Sequence, residues 1–386
     1  MQQLIWKSVP VPAKEVSLAK VLRCGQAFRW KNIDNVWSCT LKGRVVFLKQ
    51  DDSNLYYSSL ASITDQQQQQ QQQQQHDDTL AVIKDYLNLE INLEKLYELW
   101  SSKDPNFQKK SGAFSGIRIL RQDPWENLVS FICSTNNNVK RISQMCDNLC
   151  INFGTYITTH NDIKYYEFPT PQSLAHESVE QKLRDLSFGY RAKYIYKTAC
   201  QITNSPNGLA DLVGLRSLDY KTCHTELLKF TGVGPKVADC VSLMSMDKHD
   251  VVPIDTHVWT IAQRDYKFKT GSKTLNSKVY VQTGDFFREL WGEYAGWAHS
   301  VLFAADLGDL NNGVNVQDGK AIKNGGNIKK EKVKKENDTN SDKENLGIMQ
   351  QQQEEVIIYS SSGRPLRGKR KLQMINQGVI KKVKKE

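Results

Sequence analysis

Between residues 28 and 60 apolar and β-branched residues fall in short runs: Phe28-Arg29-Trp30, Val36 to Leu41, Arg44 to Lys49 and Leu55 to Leu60. Turn formers separate them, at Asn32-Ile33-Asp34-Asn35, Lys42-Gly43 and Asp51-Asp52-Ser53-Asn54. Short strand-prone runs punctuated in this way predict an antiparallel meander. A helical pattern follows from Thr79 to about Trp100. From Arg121 the apolar period lengthens to that of helices. Asp123-Pro124-Trp125-Glu126 combines an N-cap, a proline in the first turn and a glutamate three residues after the cap, ahead of the stripe Trp125, Leu128, Val129, Ile132. That helix must stop at Ser134-Thr135-Asn136-Asn137-Asn138, where a second begins with Ile142, Cys146 and Leu149 inside and Gly154 near its end. Ser178 is read as the cap of another, with Leu183 and Leu186 inside and a stop at Gly189. One more runs on from Tyr190-Arg191 with Ile195, Ala199 and Ile202 buried. Tyr220 to Lys229 reads as a helix with Leu227 and Leu228 on its apolar side. Asp255 caps a helix holding Val258, Ile261 and Ala262, and the last helices are expected from Asp285 to about Leu307.

Two segments break the pattern. Ten consecutive glutamines (66–75) read as a disordered insert, and the polar stretch after Asp309 as a disordered tail. The expected fold class is therefore α+β: an antiparallel β domain over 1–120, an all-helical domain over 121–310, and a basic tail over 311–386. Charge sharpens the division. Of the 52 Lys/Arg and 42 Asp/Glu, 17 and 9 lie after residue 310, so the tail carries +8 of the net +10 and residues 1–310 only +2. A grip on a polyanion within the folded part must come from local arrangement, with the tail supplying long-range attraction. Its clusters, such as Arg367-Gly368-Lys369-Arg370-Lys371, have the character of nuclear-import or nonspecific nucleic-acid segments; a solubilising role is the alternative.

The eight cysteines form no Cys-x-x-Cys pair and no zinc-type spacing with histidine, and none follows Cys240, which excludes a four-cysteine iron–sulfur loop beyond that point. The N-terminus lacks a signal-peptide pattern, and no apolar run approaches membrane-spanning length, ~18 residues. Reduced thiols in an intracellular protein are expected.

Candidate chemistry concentrates in Thr231-Gly232-Val233-Gly234-Pro235-Lys236-Val237-Ala238-Asp239-Cys240. Helix, glycine turn and a helix opened by proline leave backbone N–H groups and a positive helix end facing one place, where a phosphate docks. Lys236 stands at the wrong end of that dipole, which favours its neutral amine, and burial adds to the effect. It is thus a candidate nucleophile; a solvated, inert lysine is the alternative. Cys240, four residues on, shares its helix face. Nineteen residues after Lys236, Val252-Pro253-Ile254-Asp255-Thr256-His257 supplies a carboxylate. Asp255 is either a plain N-cap or also a group that stabilises positive charge developing on a sugar ring.

The glycine hairpin with its lysine and the Val-Pro-Ile-Asp-Thr-His segment resemble the helix-hairpin-helix superfamily of base-excision DNA glycosylases. Further segments resemble the eukaryotic 8-oxoguanine DNA glycosylase/AP lyases within it: Cys24-Gly25-Gln26-Ala27-Phe28-Arg29-Trp30, Phe131 to Asn138, Gly189-Tyr190-Arg191-Ala192-Lys193-Tyr194, Ile261 to Tyr266 and Tyr294-Ala295-Gly296-Trp297-Ala298. The resemblance spans roughly residues 4–309, the glutamine run apart. It implies a TATA-binding-protein-like β domain packed on a helical glycosylase domain, with DNA lying across their junction. The implied activity flips out 8-oxoguanine opposite cytosine, excises it through a lysine Schiff base and cleaves the strand by β-elimination. Lys236 would be the nucleophile and Asp255 its charge-stabilising partner. Gly25, whose carbonyl would accept the lesion's extra ring N–H, would bind the base with Cys240 and Phe303 on its two faces. Asn136, Arg141 and Arg191 would hold the orphaned cytosine, Tyr190 would fill the gap, and His257 and the turn at Gly232 and Gly234 would meet phosphate. Gly25 as a simple turn residue and His257 as a side chain packed on its helix start remain open alternatives.

The chain departs from the family pattern at two positions. His299 stands where the family has a glutamine that reads the base's Watson–Crick edge, and Thr231 replaces a frequent proline. On the same helix face as Phe303, His299 keeps one donor and one acceptor when neutral. The resemblance implies no cofactor, no metal and no membrane, a double-stranded DNA partner, a monomer, and a nuclear address with a mitochondrial pool left open. A related glycosylase for another damaged base and a non-catalytic DNA-binding module are the competing readings.

Overall fold

Five strands form one antiparallel sheet in the order β1-β5-β4-β3-β2: β1 Lys7–Pro10, β2 Lys31–Ile33, β3 Val36–Leu41, β4 Arg44–Gln50 and β5 Asn54–Ala61. The computed structural model describes residues 3–61, 77–272 and 274–307; the glutamine run and the basic tail lie outside the described residues. The three long strands fall where their apolar runs are. Two features differ from expectation. Phe28 and Arg29 are not strand: Phe28 turns into the helical core and Arg29 toward Glu126, so the first meander strand starts at Lys31. An unexpected β1 pairs along β5, with Lys7 opposite Tyr57 and Pro10 opposite Asn54. Pro10 is tolerated because this is an edge strand.

Alternation along β4 feeds both faces of the sheet. Val46 and Leu48 pack with Leu55, Val16, Leu18, Ile83 and Leu87, whereas Val45 and Phe47 pack with Leu60, Ile157 and Tyr165. Ile157 and Tyr165 belong to a second, unforeseen hairpin, β6 Tyr156–His160 and β7 Ile163–Tyr166. Its Asn161-Asp162 loop has φ of 48° and 63°, the positive pair that a two-residue hairpin needs.

The expected helix from Thr79 to Trp100 is two, Thr79–Tyr86 and Leu93–Lys103. Asn88 adopts φ 54° between them, and Asn92 accepts from the Lys95 N–H to start the second. Leu93, Trp100 and Phe107 then join the large core that also holds Leu128, Ile132, Val241, Trp291 and Trp297. Asp123 caps Pro124–Ser134 through the N–H groups of Trp125 and Glu126, as its motif predicts. Ser178 is instead the first helical residue, its N–H taken by the His176 ring, and Leu228 is 39% exposed. The last two helices are Ser277–Trp291 and Ala295–Asp306, the first starting earlier than expected because Asn276 caps it.

Buried polar side chains fasten the segment after β1 and the sheet to the helices. Arg29 donates to both carboxylate oxygens of Glu126, at 2.8 and 2.6 Å, and to Thr40 of β3. Arg118, fully buried, donates to the carbonyls of Glu15, Leu87, Asn88 and Ile91 and to the Glu15 carboxylate. Removing one member of such a pair strands the other. Glu126→Ala is therefore expected to cost about 3–5 kcal/mol of stability, read as a lower urea midpoint; an unchanged midpoint would show that the Arg29 site is wetter than its burial indicates.

Candidate active site

Tyr220–Leu227, the turn Thr231–Gly234 and Pro235–Ser245 make the predicted helix, hairpin and helix. Gly232 takes φ +85°, and a Cβ there would lie 2.5 Å from the Tyr194 ring, so the turn requires glycine twice over. Gly234 is the extended N-cap residue and Pro235 opens the helix. Their backbones line an open cleft of about 1550 Å³, together with Lys236, Asp255, Phe303, Gly25, Asn136, Tyr190 and His257. The hairpin and residues more than two hundred positions away thus meet at one place.

Lys236 is partly buried in the first turn of its helix. Its ammonium lies 5.4 Å from the Phe131 ring centroid, a cation–π contact, beside Cys240 and within electrostatic range of Asp255. Burial is the largest influence and lowers its pKa, but the Cys240 and Asp255 charges outweigh it, and the ammonium is held above its ordinary range. The depressed lysine expected from the sequence is therefore corrected: the helix-end argument omitted Cys240, one turn on, and the Asp255 carboxylate that the fold brings into range. Burial pushes the Cys240 thiol up to about 11, against the pull of Lys236.

Asp255 makes the cap that its sequence position predicts. One oxygen, Oδ1, accepts the N–H groups of His257 (2.9 Å) and Val258 (3.0 Å) and caps Thr256–Asp265. Those bonds leave Oδ2 for the cleft, and the carboxylate acts electrostatically on both Lys236 and His299.

Around the base-binding candidates, a methyl group on Gly25 would lie 3.7 Å from Phe303 and 3.8 Å from Val139, and Gly25 has φ +83°. Phe303 packs edge-on to the exposed His257 ring, 6.4 Å between centroids, and 5.9 Å from His299. Two candidates sit behind the cleft wall rather than in it. Cys240 is buried beside Lys236, and His299 is only 7% exposed. Neither His299 ring nitrogen has a hydrogen-bond partner. Burial drives its pKa down to about 4, Asp255 opposing and Lys236 assisting, which leaves a neutral imidazole.

On the other side of the cleft, Tyr190 is 43% exposed and its hydroxyl donates to the Thr135 carbonyl. Arg191, buried, stacks its guanidinium 4.6 Å from the Tyr190 ring and donates to the carbonyls of Thr135 and Asn136. Arg141 is exposed and donates to the Ser187 carbonyl. Tyr190, Arg191 and the Asn136 backbone thus form one cluster around the Thr135 carbonyl, with Asn136 at φ 47°, while Arg141 bonds to the turn that precedes Tyr190. Phe131 and Tyr194 were not singled out from the sequence; both lie in motifs that were, but nothing in their spacing says which ring meets the lysine.

Comparison with known proteins agrees with this geometry. Residues 8–128 match the 8-oxoguanine DNA glycosylase N-terminal domain, and 129–280 the HhH-GPD superfamily of base excision DNA repair proteins. An N-glycosylase/DNA lyase of Saccharomyces cerevisiae is 38% identical over 327 residues, covering 76% of this chain and 84% of its own. One from Arabidopsis thaliana is 35% identical over 307 residues, covering 78% and 80%. The Clostridium acetobutylicum 8-oxoguanine glycosylase/lyase, solved with double-stranded DNA containing cytosine opposite 8-oxoguanine, superposes with a TM-score of 0.66 at 30% identity, over 81% of this chain and 99% of that one. With both domain models matched in order and the hairpin lysine, capping aspartate and facing phenylalanine gathered in one cleft, the chain belongs to the 8-oxoguanine DNA glycosylase family of the helix-hairpin-helix superfamily.

Proposed function

We infer that the protein is a bifunctional DNA glycosylase and AP lyase that removes 8-oxoguanine paired with cytosine from double-stranded DNA and then cuts the strand. The observation that carries this is Lys236, an amine at the mouth of a phosphate-gripping hairpin and next to the Asp255 carboxylate. The base must leave the stack before the sugar can be reached, at a cost of a few kcal/mol. Tyr190, exposed beside the hairpin, is shaped to take its place, while Asn136, Arg141 and Arg191 hold the cytosine. A base stacked on Phe303, with the Gly25 carbonyl at its edge, presents its sugar to Lys236. The ammonium first gives up its proton, which becomes available to the departing base. The amine then bonds to C1′ as the base leaves with the glycosidic electron pair, and Asp255 offsets the positive charge on the sugar. Opening of the ring yields the Schiff base. Loss of a C2′ proton then expels the 3′-phosphate.

His299 supports recognition of the same base. A neutral imidazole with two unpartnered nitrogens just behind the cleft wall can donate one hydrogen bond and accept one, as an amide does, to a base that reaches it. Leaving either group unpaired costs about 1–3 kcal/mol, so a base edge that satisfies both is selected. The basic clusters after residue 310 support a nuclear address, and the chain is proposed to act as a monomer.

Lys236→Gln should bind lesion duplex as tightly as the parent yet yield no borohydride-trapped adduct and no strand cleavage; normal cleavage would remove Lys236 as nucleophile. In Asp255→Asn the helix keeps a good cap, so stability should barely move while single-turnover excision falls ~100-fold or more; an equal loss of stability would assign Asp255 to capping alone. Because His299 is held neutral in the fold, the unfolded chain takes up its proton first, between its ordinary value and about 4. Stability should therefore fall as pH drops from 6.5 to 4, by an amount on the order of 3 kcal/mol. His299→Gln should flatten that slope while retaining excision of 8-oxoguanine, as urea midpoints across the pH range would record.

A further inference from the structure

Outside the groups already assigned, one buried carboxylate gathers three helices. Asp239, 2% exposed, lies three residues after Lys236 on the same helix. The Tyr220 hydroxyl donates to its Oδ1 at 2.8 Å, and the Tyr280 hydroxyl donates to its Oδ2. His224 Nε2 approaches Oδ1 to 3.3 Å, though off the line of a hydrogen bond. Tyr220 and His224 stand on the helix entering the hairpin, Asp239 on the helix leaving it, and Tyr280 on Ser277–Trp291. Tyr220, His224 and Tyr280 all line the same cleft as Lys236.

Tyr280 makes this more than a brace for the hairpin. Its oxygen also faces the Ile254 N–H at 3.5 Å, and Ile254 immediately precedes Asp255. A phenol has one proton to give and lone pairs to accept with, so Tyr280 can serve both partners at once. A continuous path then runs from the Lys236 helix through Asp239 and Tyr280 to the backbone that presents Asp255. Burying a carboxylate is costly unless its partners compensate, and an apolar side chain of similar volume would usually serve stability as well. Directional bonds are what a carboxylate offers there and an apolar residue does not.

We propose that Asp239 and Tyr280 are positioning residues that set the placement of Lys236 relative to Asp255. The proposal rests on the reading of Lys236 as nucleophile and Asp255 as its partner. Neither Asp239 nor Tyr280 touches the reacting atoms; they act through the two groups that do. Misplacing catalytic groups by about an ångström can cost ~100-fold in rate without a loss of binding.

The test uses the full chain and a duplex with one 8-oxoguanine opposite cytosine. Tyr280→Phe removes the bridging hydroxyl and keeps the ring. With enzyme saturating, its single-turnover excision rate should fall ~10- to 100-fold, and borohydride trapping should slow in proportion. Its dissociation constant for the uncleaved duplex should stay within about threefold of the parent. Asp239→Asn should lose rate in the same direction; if that variant does not fold, Tyr280→Phe decides alone. An unchanged excision rate in Tyr280→Phe overturns the proposal, and so does a loss of rate matched by loss of duplex affinity, which would make Tyr280 a DNA contact. Lys236→Gln, run alongside, separates the two readings. A trapped adduct in that variant would defeat the nucleophile assignment itself, whereas its absence with a fully active Tyr280→Phe would defeat only the positioning role.

Discussion

The placement of Gly25 relative to Lys236 is the constraint on which the site depends, and a short run of buried hydrogen bonds sets it. Gln26, next to Gly25, donates to the Arg118 carbonyl at 2.9 Å and accepts the Leu120 N–H at 3.0 Å. Gln122 returns a bond to the Gln26 carbonyl, and its own N–H goes to the carbonyl of Met244 in the Lys236 helix. The segment 118–122 is therefore a gauge with one end on the base-binding glycine and the other on the nucleophile's helix. Arg118 and the Arg29–Glu126 pair fasten either end of it to the segment after β1 and to the sheet. Buried bonds of this kind add modest net stability, but each is expensive to leave unmade, so alternative spacings are disfavoured. Shape selection for a small change on a purine needs that intolerance more than it needs extra stability.

The chemistry proposed for the site follows from one carboxylate shared between a cap and a charge. Asp255 Oδ1 is occupied by the helix start, which fixes the side chain's direction, and Oδ2 remains for the cleft. A cap thus becomes a preorganised charge: its orientation is set by folding and needs no rearrangement when the sugar turns positive. Together with Cys240, the same charge opposes the downward pull of burial on the Lys236 ammonium. Seating a substrate at the cleft brings the proton's eventual acceptor, the leaving base, into the same space, so loss of that proton belongs with the chemical step.

Much of this was legible in the chain. The turn glycines, the proline opening the next helix and the Asp123 and Asp255 caps are local signals, and local backbone physics decides them. The alternation of β3 to β5 was equally plain. Other features are tertiary. β1 is a four-residue edge strand whose pairing with β5 no local pattern announces. Asn88 breaks a helix that periodicity alone would continue. The Lys236 pKa turns on burial set against Cys240 and Asp255, and the burial of His299 on a helix that packs close to the Asp255 approach, with Gly296 N–H bonded to the His249 carbonyl. Asp239 went unread because a lone aspartate inside a helix looks like surface until two tyrosines from other helices are seen to close on it.

One further consequence concerns how the grip on DNA and the distortion of DNA are connected. With only +2 on residues 1–310, the folded part cannot rely on a broad positive field, so its contacts must be few and well placed. The hairpin turn at Gly232 rests on the Tyr194 ring, and Tyr194 packs edge-on to Tyr190 at 5.5 Å between centroids. Arg191 locks Tyr190 from the other side through its stacked guanidinium and its bonds to the Thr135 and Asn136 carbonyls. The hairpin turn and the residues proposed as wedge and opposite-base reader therefore form one packed unit. Holding the backbone at the hairpin fixes where the wedge enters, and an aromatic inserted from a rigid mount can offset the lost stacking without first being ordered. In the proposed function, affinity and base flipping draw on the same contacts, which lets a nearly neutral fold perform both.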